Sequence, residues 1–209
     1  MNRKIGLTGG IASGKSSVAK MLSRLLVCEH VDADAVCRQL LEPHAEGWRE
    51  FTRKFGTEYL TENETIDRPL LRKDLFASEK LRREVNNIVH PLAKKVIVAK
   101  MDLITASDPK SRVLVEVPLL YEVQWQDLFD TVIVVYADYK TCLHRLVLRD
   151  NVEKTAAEKE LQSQRPLSEK VLHADHVIDN SGLLQDTMSQ VKHLAGLIQN
   201  NGAVAEKKA

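Results

Sequence analysis

At 209 residues, 44% hydrophobic and 28% charged, the chain has the make-up of a globular protein with room for one domain and an insertion. Thirty Lys/Arg against 29 Asp/Glu leave a net +1, which excludes the bulk positive field of a protein that coats nucleic acid. Cys28, Cys37 and Cys142 are too scattered for a zinc site or a disulfide framework, and no apolar run nears the ~18 residues of a membrane span, so a cytoplasmic, reducing location is expected.

The N-terminus enters a strand pattern at once rather than a signal peptide's apolar region. Ile5 to Thr8 is a short apolar strand ended by glycines, and Val18, Met21, Leu22 and Leu25 then recur at helical spacing. A second strand runs through Val31 into Asp32-Ala33-Asp34, and the helical pattern of Val36, Leu40 and Leu41 stops at Glu42-Pro43. From residue 43 to about 108 the chain is charged and helix-favouring, without convincing strand runs. Leu71, Leu75, Leu81, Val85 and Ile88 predict a helical face that ends at His90-Pro91, where the proline opens a new helix led by Leu92, Val96 and Leu103. Residues 68–100 hold nine Lys/Arg and three Asp/Glu, a local +6 against −5 for the remainder. Strands resume at Val113 to Val117, Val132 to Tyr136 and His176 to Ile178; the first two are almost continuously apolar and β-branched, as in strands covered on both faces. Such alternation of strands and helices implies a parallel sheet, with its ligand site beyond the carboxyl ends of the strands. The polar tail from Asn200 is expected to fray.

Gly9, Gly14, Lys15 and Ser16 satisfy GxxxxGK(S/T), between a strand and a helix as that motif requires. Backbone N–H groups of such a loop converge on phosphate oxygens, the helix presents its positive end, and the lysine and serine supply a phosphate contact and a Mg²⁺ ligand. Nucleoside triphosphate binding follows, but motors, switches and kinases share the loop, so the acceptor has to come from elsewhere. Asp32 and Asp34 end the second strand on the same rim. Asp34 is the candidate to take a proton from an attacking hydroxyl, with Asp32 as helix cap or a support of the metal shell. Glu116, at the end of the third strand, is either part of the metal shell or a solvated strand-end carboxylate. Arg145 and Arg149, four apart on one helical face, lead a charged stretch to Gln164-Arg165-Pro166; a lid of this kind would neutralise charge on a transferred phosphoryl group and exclude water.

In order, TGGIASGKS, DAD, HP, VPLLYE, RD and ADHVIDNSG resemble the dephospho-coenzyme A kinase family, from about residue 3 to residue 195. The resemblance implies an α/β fold: a P-loop kinase core of five parallel strands flanked by helices, with a helical acceptor-binding insertion and a lid. It divides the chain into a nucleotide-binding core at 1–42, 109–138 and 166–199, a helical acceptor domain at 43–108, a lid at 139–165 and a flexible tail at 200–209. It implies transfer of the γ-phosphoryl group of ATP, with Mg²⁺, to the ribose 3′-hydroxyl of dephospho-coenzyme A. The acting protein is expected to be a monomer or small homo-oligomer with neither a nucleic-acid nor a membrane partner. Asp34, Lys15 and Arg149 match the catalytic positions, with Arg145 the nearest competitor for the lid arginine. Gly9, Gly10, Ile11, Ala12, Ser13, Gly14, Lys15, Ser16 and Ser17 match the phosphate loop, Ser16 is the metal ligand, and Asn180 and Gly182 match the turn bordering adenine. His90 lies in the acceptor domain, at a helix junction.

Two residues depart from the family pattern. Ala12 replaces a third loop glycine, which suggests that a positive φ is not needed there. Glu160 replaces an arginine and leaves the lid helix without a second cation at that end. The +6 segment would attract the pyrophosphate of the acceptor. A kinase with another acceptor would share the core but not this order of motifs. A GTPase lacks its N-K-x-D motif here, and a nucleic-acid-binding ATPase would need aromatics among its basic residues, where only Phe76 occurs.

Overall fold

The structure is a computed structural model that describes residues 3–108 and 110–205. It falls into two compact units, one made of residues through Asp32 with those from Met101 onward, the other of Ala33–Lys100.

In the first unit, β1 (Lys4–Gly9), β2 (Glu29–Asp32), β3 (Val113–Glu116), β4 (Thr131–Tyr136) and β5 (His176–Asp179) form one parallel sheet in the order β2-β3-β1-β4-β5. The central strands are buried on both faces: Ile5 and Leu7 of β1, all of β3, and Thr131 to Val135 of β4. That burial explains why their sequence runs apolar without alternating. Helix α1 (Lys15–Leu26) lays Val18, Ala19, Leu22 and Leu26 on the sheet, beside Val191, Leu194, Ala195 and Ile198 of α9 (Leu184–Ala205). Register pairs Leu7 and Asp32 with Glu116, so β1, β2 and β3 end together at the rim where the phosphate loop begins. Helices α6 (Tyr139–Asp150), α7 (Lys154–Gln162) and the short α8 (Leu167–Val171) connect β4 to β5. The polar tail expected to fray from Asn200 continues α9 through Ala205, because extending a helix already anchored by its apolar stripe adds one hydrogen bond per residue; 206–209 lie outside the described residues.

The second unit is helical: α2 (Ala33–Leu40), α3 (Glu46–Phe55), α4 (Arg68–Ala77) and the part of α5 (Glu79–Ser107) up to Lys100. Phe51, Tyr59, Ile66, Leu71, Val85 and Val89 form its core, with the Phe51 ring 4.8 Å from that of Phe55 and 6.1 Å from that of Tyr59. Asp67 caps α4 by accepting from the N–H of Leu70, and Ser78 Oγ accepts from Leu81 at the start of α5. Pro91 does not end a helix, since α5 runs unbroken for 29 residues with the proline inside it. Val85, Val89, Ala93 and Ile97 continue one buried stripe at four-residue spacing past the proline, and that burial outweighs the single backbone hydrogen bond the ring removes. His90 therefore sits within a helix rather than at a junction, half-buried, and burial lowers its pKa. Among the described residues, no helix is long and apolar enough to cross a membrane.

Candidate active site

The site is built around the loop that joins β1 to α1. Gly14 caps α1 at φ +86°, a conformation L side chains rarely adopt, and a Cβ there would lie 2.1 Å from Asn180 Nδ2. Glycine is required twice over at this position. Ala12 also takes a positive φ, +58°, which corrects the expectation that its missing glycine meant an ordinary backbone. The turn forces the left-handed conformation, and alanine, with the smallest side chain after glycine, accepts it at a cost of ~1–2 kcal/mol. Ser13 is buried, and among the described residues its Oγ has no hydrogen-bond partner. Ser16 and Ser17, in the first turn of α1, are exposed.

Glu116 organises the other side of the loop. Its Oε1 accepts from Lys15 Nζ at 2.7 Å and from Ser16 Oγ at 2.6 Å, while Oε2 lies 3.2 Å from His30 Nε2. Burial alone would raise its pKa, but the hydrogen bond and charge of Lys15, the Ser16 hydroxyl and His30 outweigh that and hold the carboxyl below its ordinary value. Of the two readings open for Glu116, the solvated strand-end carboxylate is the one its burial rules out. His30 had no place in the sequence reading, although its position two residues before Asp32 on a strand puts both on one face.

Two further segments brace the loop. Asn180, buried just past β5, donates from Nδ2 to the Ser13 carbonyl (2.7 Å) and accepts from Thr187 Oγ1 (2.8 Å); its own N–H bonds to the Tyr136 carbonyl (2.7 Å). Its amide thus supports the loop from behind. The turn it belongs to is held by Ser181 Oγ, which donates to Asp179 and accepts from the Asp138 N–H, and Gly182 is exposed at its tip. Gln164, beyond α7, accepts from the Ile11 N–H at 3.0 Å. A cleft of about 200 Å³ opens between Gly10, Tyr136, Tyr139, Cys142 and Leu167.

The two arginines of α6 go different ways. Arg145 Nη1 is buried, has no hydrogen-bond partner among the described residues, and lies 3.9 Å from where a Cβ on Gly14 would be. Arg149 donates from Nε and Nη2 to the two oxygens of Asp150, at 2.7 and 2.8 Å, and its side chain is 58% exposed. The hydrogen bonds to the Asp150 carboxylate raise the Arg149 pKa, burial opposes them, and the charges of Asp150 and Glu160 add to the rise. The structure thus places Arg145 Nη1 near Gly14 of the phosphate loop and holds Arg149 on Asp150. One turn of helix separates the two, and the carboxylate that Arg149 meets is the next residue in the chain.

Asp32 ends β2 at the same rim as Glu116, and Asp34 is the second residue of α2, in the helical unit. Among the described residues, no cluster of three or more His, Cys, Asp or Glu side chains could hold a metal by itself. The Ser16 hydroxyl beside the Glu116 carboxylate is instead the hard-oxygen pair that suits Mg²⁺, which keeps most of its shell for phosphates and water.

The arrangement sets Arg145 Nη1, without a hydrogen-bond partner among the described residues, beside a glycine loop at a helix N-terminus. A family described as dephospho-CoA kinase matches residues 3–186 of the chain. A dephospho-CoA kinase domain-containing protein of Danio rerio is 44% identical over 91% of this chain and 82% of its own length. A dephospho-CoA kinase of Halalkalibacterium halodurans is 41% identical over 90% of this chain and 92% of its own. Among solved structures, a dephospho-CoA kinase from Campylobacter jejuni superposes with a TM-score of 0.71 at 25% identity, covering 96% of this chain and 99% of that one. Sequence motifs, sheet order and these likenesses agree: the chain belongs to the dephospho-CoA kinase family.

Proposed function

We propose that the chain moves the γ-phosphoryl group of ATP to the ribose 3′-hydroxyl of dephospho-coenzyme A, completing coenzyme A. Family membership carries the substrate, and one observation carries the chemistry: Lys15, Ser16 and Glu116 share a hydrogen-bonded centre at the start of α1, with Arg145 Nη1 near Gly14. The backbone N–H groups of residues 12 to 16 hold the β- and γ-phosphates. Lys15 and Arg145 neutralise charge on the group in flight. Asp34 accepts the proton of the 3′-hydroxyl as its oxygen bonds to the γ-phosphorus, and the bond from that phosphorus to the bridging oxygen breaks to release ADP. Ser16 and Glu116 would hold Mg²⁺, directly and through water; bound there, the ion offsets phosphate charge. Asn180 keeps the loop in shape rather than touching the base, and the 179–182 turn and Gly182 border the adenine.

In this reading residues 43–108 form the acceptor domain, 139–165 the lid, and the exposed cations Lys73, Lys94 and Lys95 draw in the acceptor's pyrophosphate. A near-neutral net charge supports the absence of a nucleic-acid partner, and the enzyme is read as cytoplasmic, a monomer or small homo-oligomer. The test is a panel of acceptors, comprising dephospho-coenzyme A, adenosine, AMP, shikimate and gluconate, offered with ATP and Mg²⁺ while ADP release is followed. Dephospho-coenzyme A is expected to stimulate release far above the rest. Stimulation by another acceptor and not by this one would refute the assignment.

A further inference from the structure

Among the described residues, the charged side chains that are buried are Glu116 and Lys170. Glu116 belongs to the site. Lys170, on α8, is 0% exposed and takes no part in the chemistry proposed above. Its Nζ pairs with Glu122 Oε1 at 2.7 Å and donates to the Pro118 carbonyl at 3.2 Å. That same carbonyl accepts from Thr8 Oγ1 at 3.2 Å, and Thr8 is the next-to-last residue of β1 before the phosphate loop. Three residues along, Tyr121 in the turn after β3 donates its hydroxyl to the His173 carbonyl at 2.8 Å.

The segment carrying Lys170 also meets the first half of the phosphate loop. Gln164 holds the Ile11 N–H, and Leu167 packs so closely on Gly10 that a Cβ there would lie 2.9 Å from its Cδ1. Residues 164–173 therefore touch the loop at one end and the turn after β3 at the other, and that turn begins two residues after Glu116. Stripping water from an ammonium group is costly, and an apolar pair of similar volume commonly holds a fold as well or better. Stability alone does not account for a lysine here. Its use lies in what an ammonium does and a methyl group cannot: it donates at once to a carbonyl and a carboxylate on the same turn, fixing that turn's height above the sheet.

We propose that Lys170 is a positioning residue: it locks the turn after β3, and with it Glu116, in register with the segment that closes on Gly10 and Ile11. The effect reaches the reaction through Glu116, whose Oε1 must stay on Lys15 and Ser16, so this inference rests on the functional reading above.

The test compares wild type with Lys170→Arg and with the apolar pair Lys170→Met/Glu122→Leu, by thermal unfolding, ATP affinity from calorimetry, and steady-state kinetics with dephospho-coenzyme A. The apolar pair is expected to keep or raise the melting temperature while kcat falls by ~10–10², the order of loss a displaced catalytic group brings. Lys170→Arg, which keeps the charge and the donors, is expected to recover most of that rate. A pair with wild-type melting temperature and wild-type kcat would overturn the proposal, leaving Lys170 a part of the fold only. Should the pair fail to fold, Glu122→Gln decides: kcat is expected to fall several-fold with KM for ATP unchanged, and an unchanged kcat overturns the proposal. A wild-type chain inactive on dephospho-coenzyme A removes the functional reading itself, whereas an active wild type with an equally active apolar pair removes this inference alone.

Discussion

The phosphate loop and helix α6 meet at Gly14, but in the proposed reaction they work by different means. The loop acts through its backbone, so spacing decides it: two glycines, a lysine and a serine in the right places between a strand and a helix leave little else to determine. Helix α6 would act through side chains, and it offers two arginines one turn apart on one face. What separates them is the company each keeps. Arg149 has a carboxylate next to it in the chain, Asp150, and donates to it from Nε and Nη2; Arg145 has none adjacent and its Nη1 lies by Gly14 without a partner among the described residues. A backbone site is written in a short stretch of sequence. A side-chain site depends on which neighbour claims the charge first.

The sharpest way to break this comparison is to remove the arginines one at a time. Arg145→Ala is expected to lower kcat by ~10²–10³, the usual loss for a group that stabilises transition-state charge, and Arg149→Ala to change it by less than about threefold. Equal losses in steady-state assays would mean that Arg149 leaves Asp150 during turnover.

The next test weighs the support of the loop. Glu116 has a depressed pKa in the folded chain, so its ion pair adds stability above the ordinary value of 4.5 that is lost as pH falls through the depressed one. Glu116→Gln should cost about 1–3 kcal/mol near neutral pH, as for other hydrogen bonds to charged groups, and the gap in unfolding free energy from wild type should close as the medium is acidified below that value. A gap that is independent of pH would show that the carboxylate charge does not hold Lys15.

The smallest effect concerns the loop's own backbone. Ala12→Gly relieves a left-handed alanine but adds freedom to the unfolded chain, for a net gain of roughly 0.5–1 kcal/mol by denaturant titration. A loss on that substitution would mean the alanine methyl is packed to advantage.

Much of this molecule was legible before its coordinates. The central strands β1, β3 and β4 lie where apolar runs predicted them, because strands covered on both faces exclude most polar residues, while the short edge strands β2 and β5, at Val31 and His176 to Ile178, carry polar residues. The phosphate loop was equally plain. Pro91 misled because the cost of a proline is local, whereas the stripe from Val85 to Ile97 that carries α5 past it is buried on both sides of the proline. Ala12 misled because a turn can impose a conformation that its residue would not choose. The braces on the loop, Glu116, Asn180 and Gln164, come from more than 100 residues away, and only the sheet order β2-β3-β1-β4-β5 brings them to Lys15, Ser13 and Ile11. No spacing rule could have paired them.

The central claim is direct transfer to one hydroxyl, with Asp34 taking its proton. Phosphorus NMR of the product, made from ATP and dephospho-coenzyme A by wild type and by Asp34→Asn, tests it most directly. The account predicts a single new monoester on the ribose 3′-oxygen in step with ADP, formed ~10²–10⁴ times more slowly by the variant. A monoester elsewhere, inorganic phosphate in place of a monoester, or an undiminished rate in Asp34→Asn would contradict it.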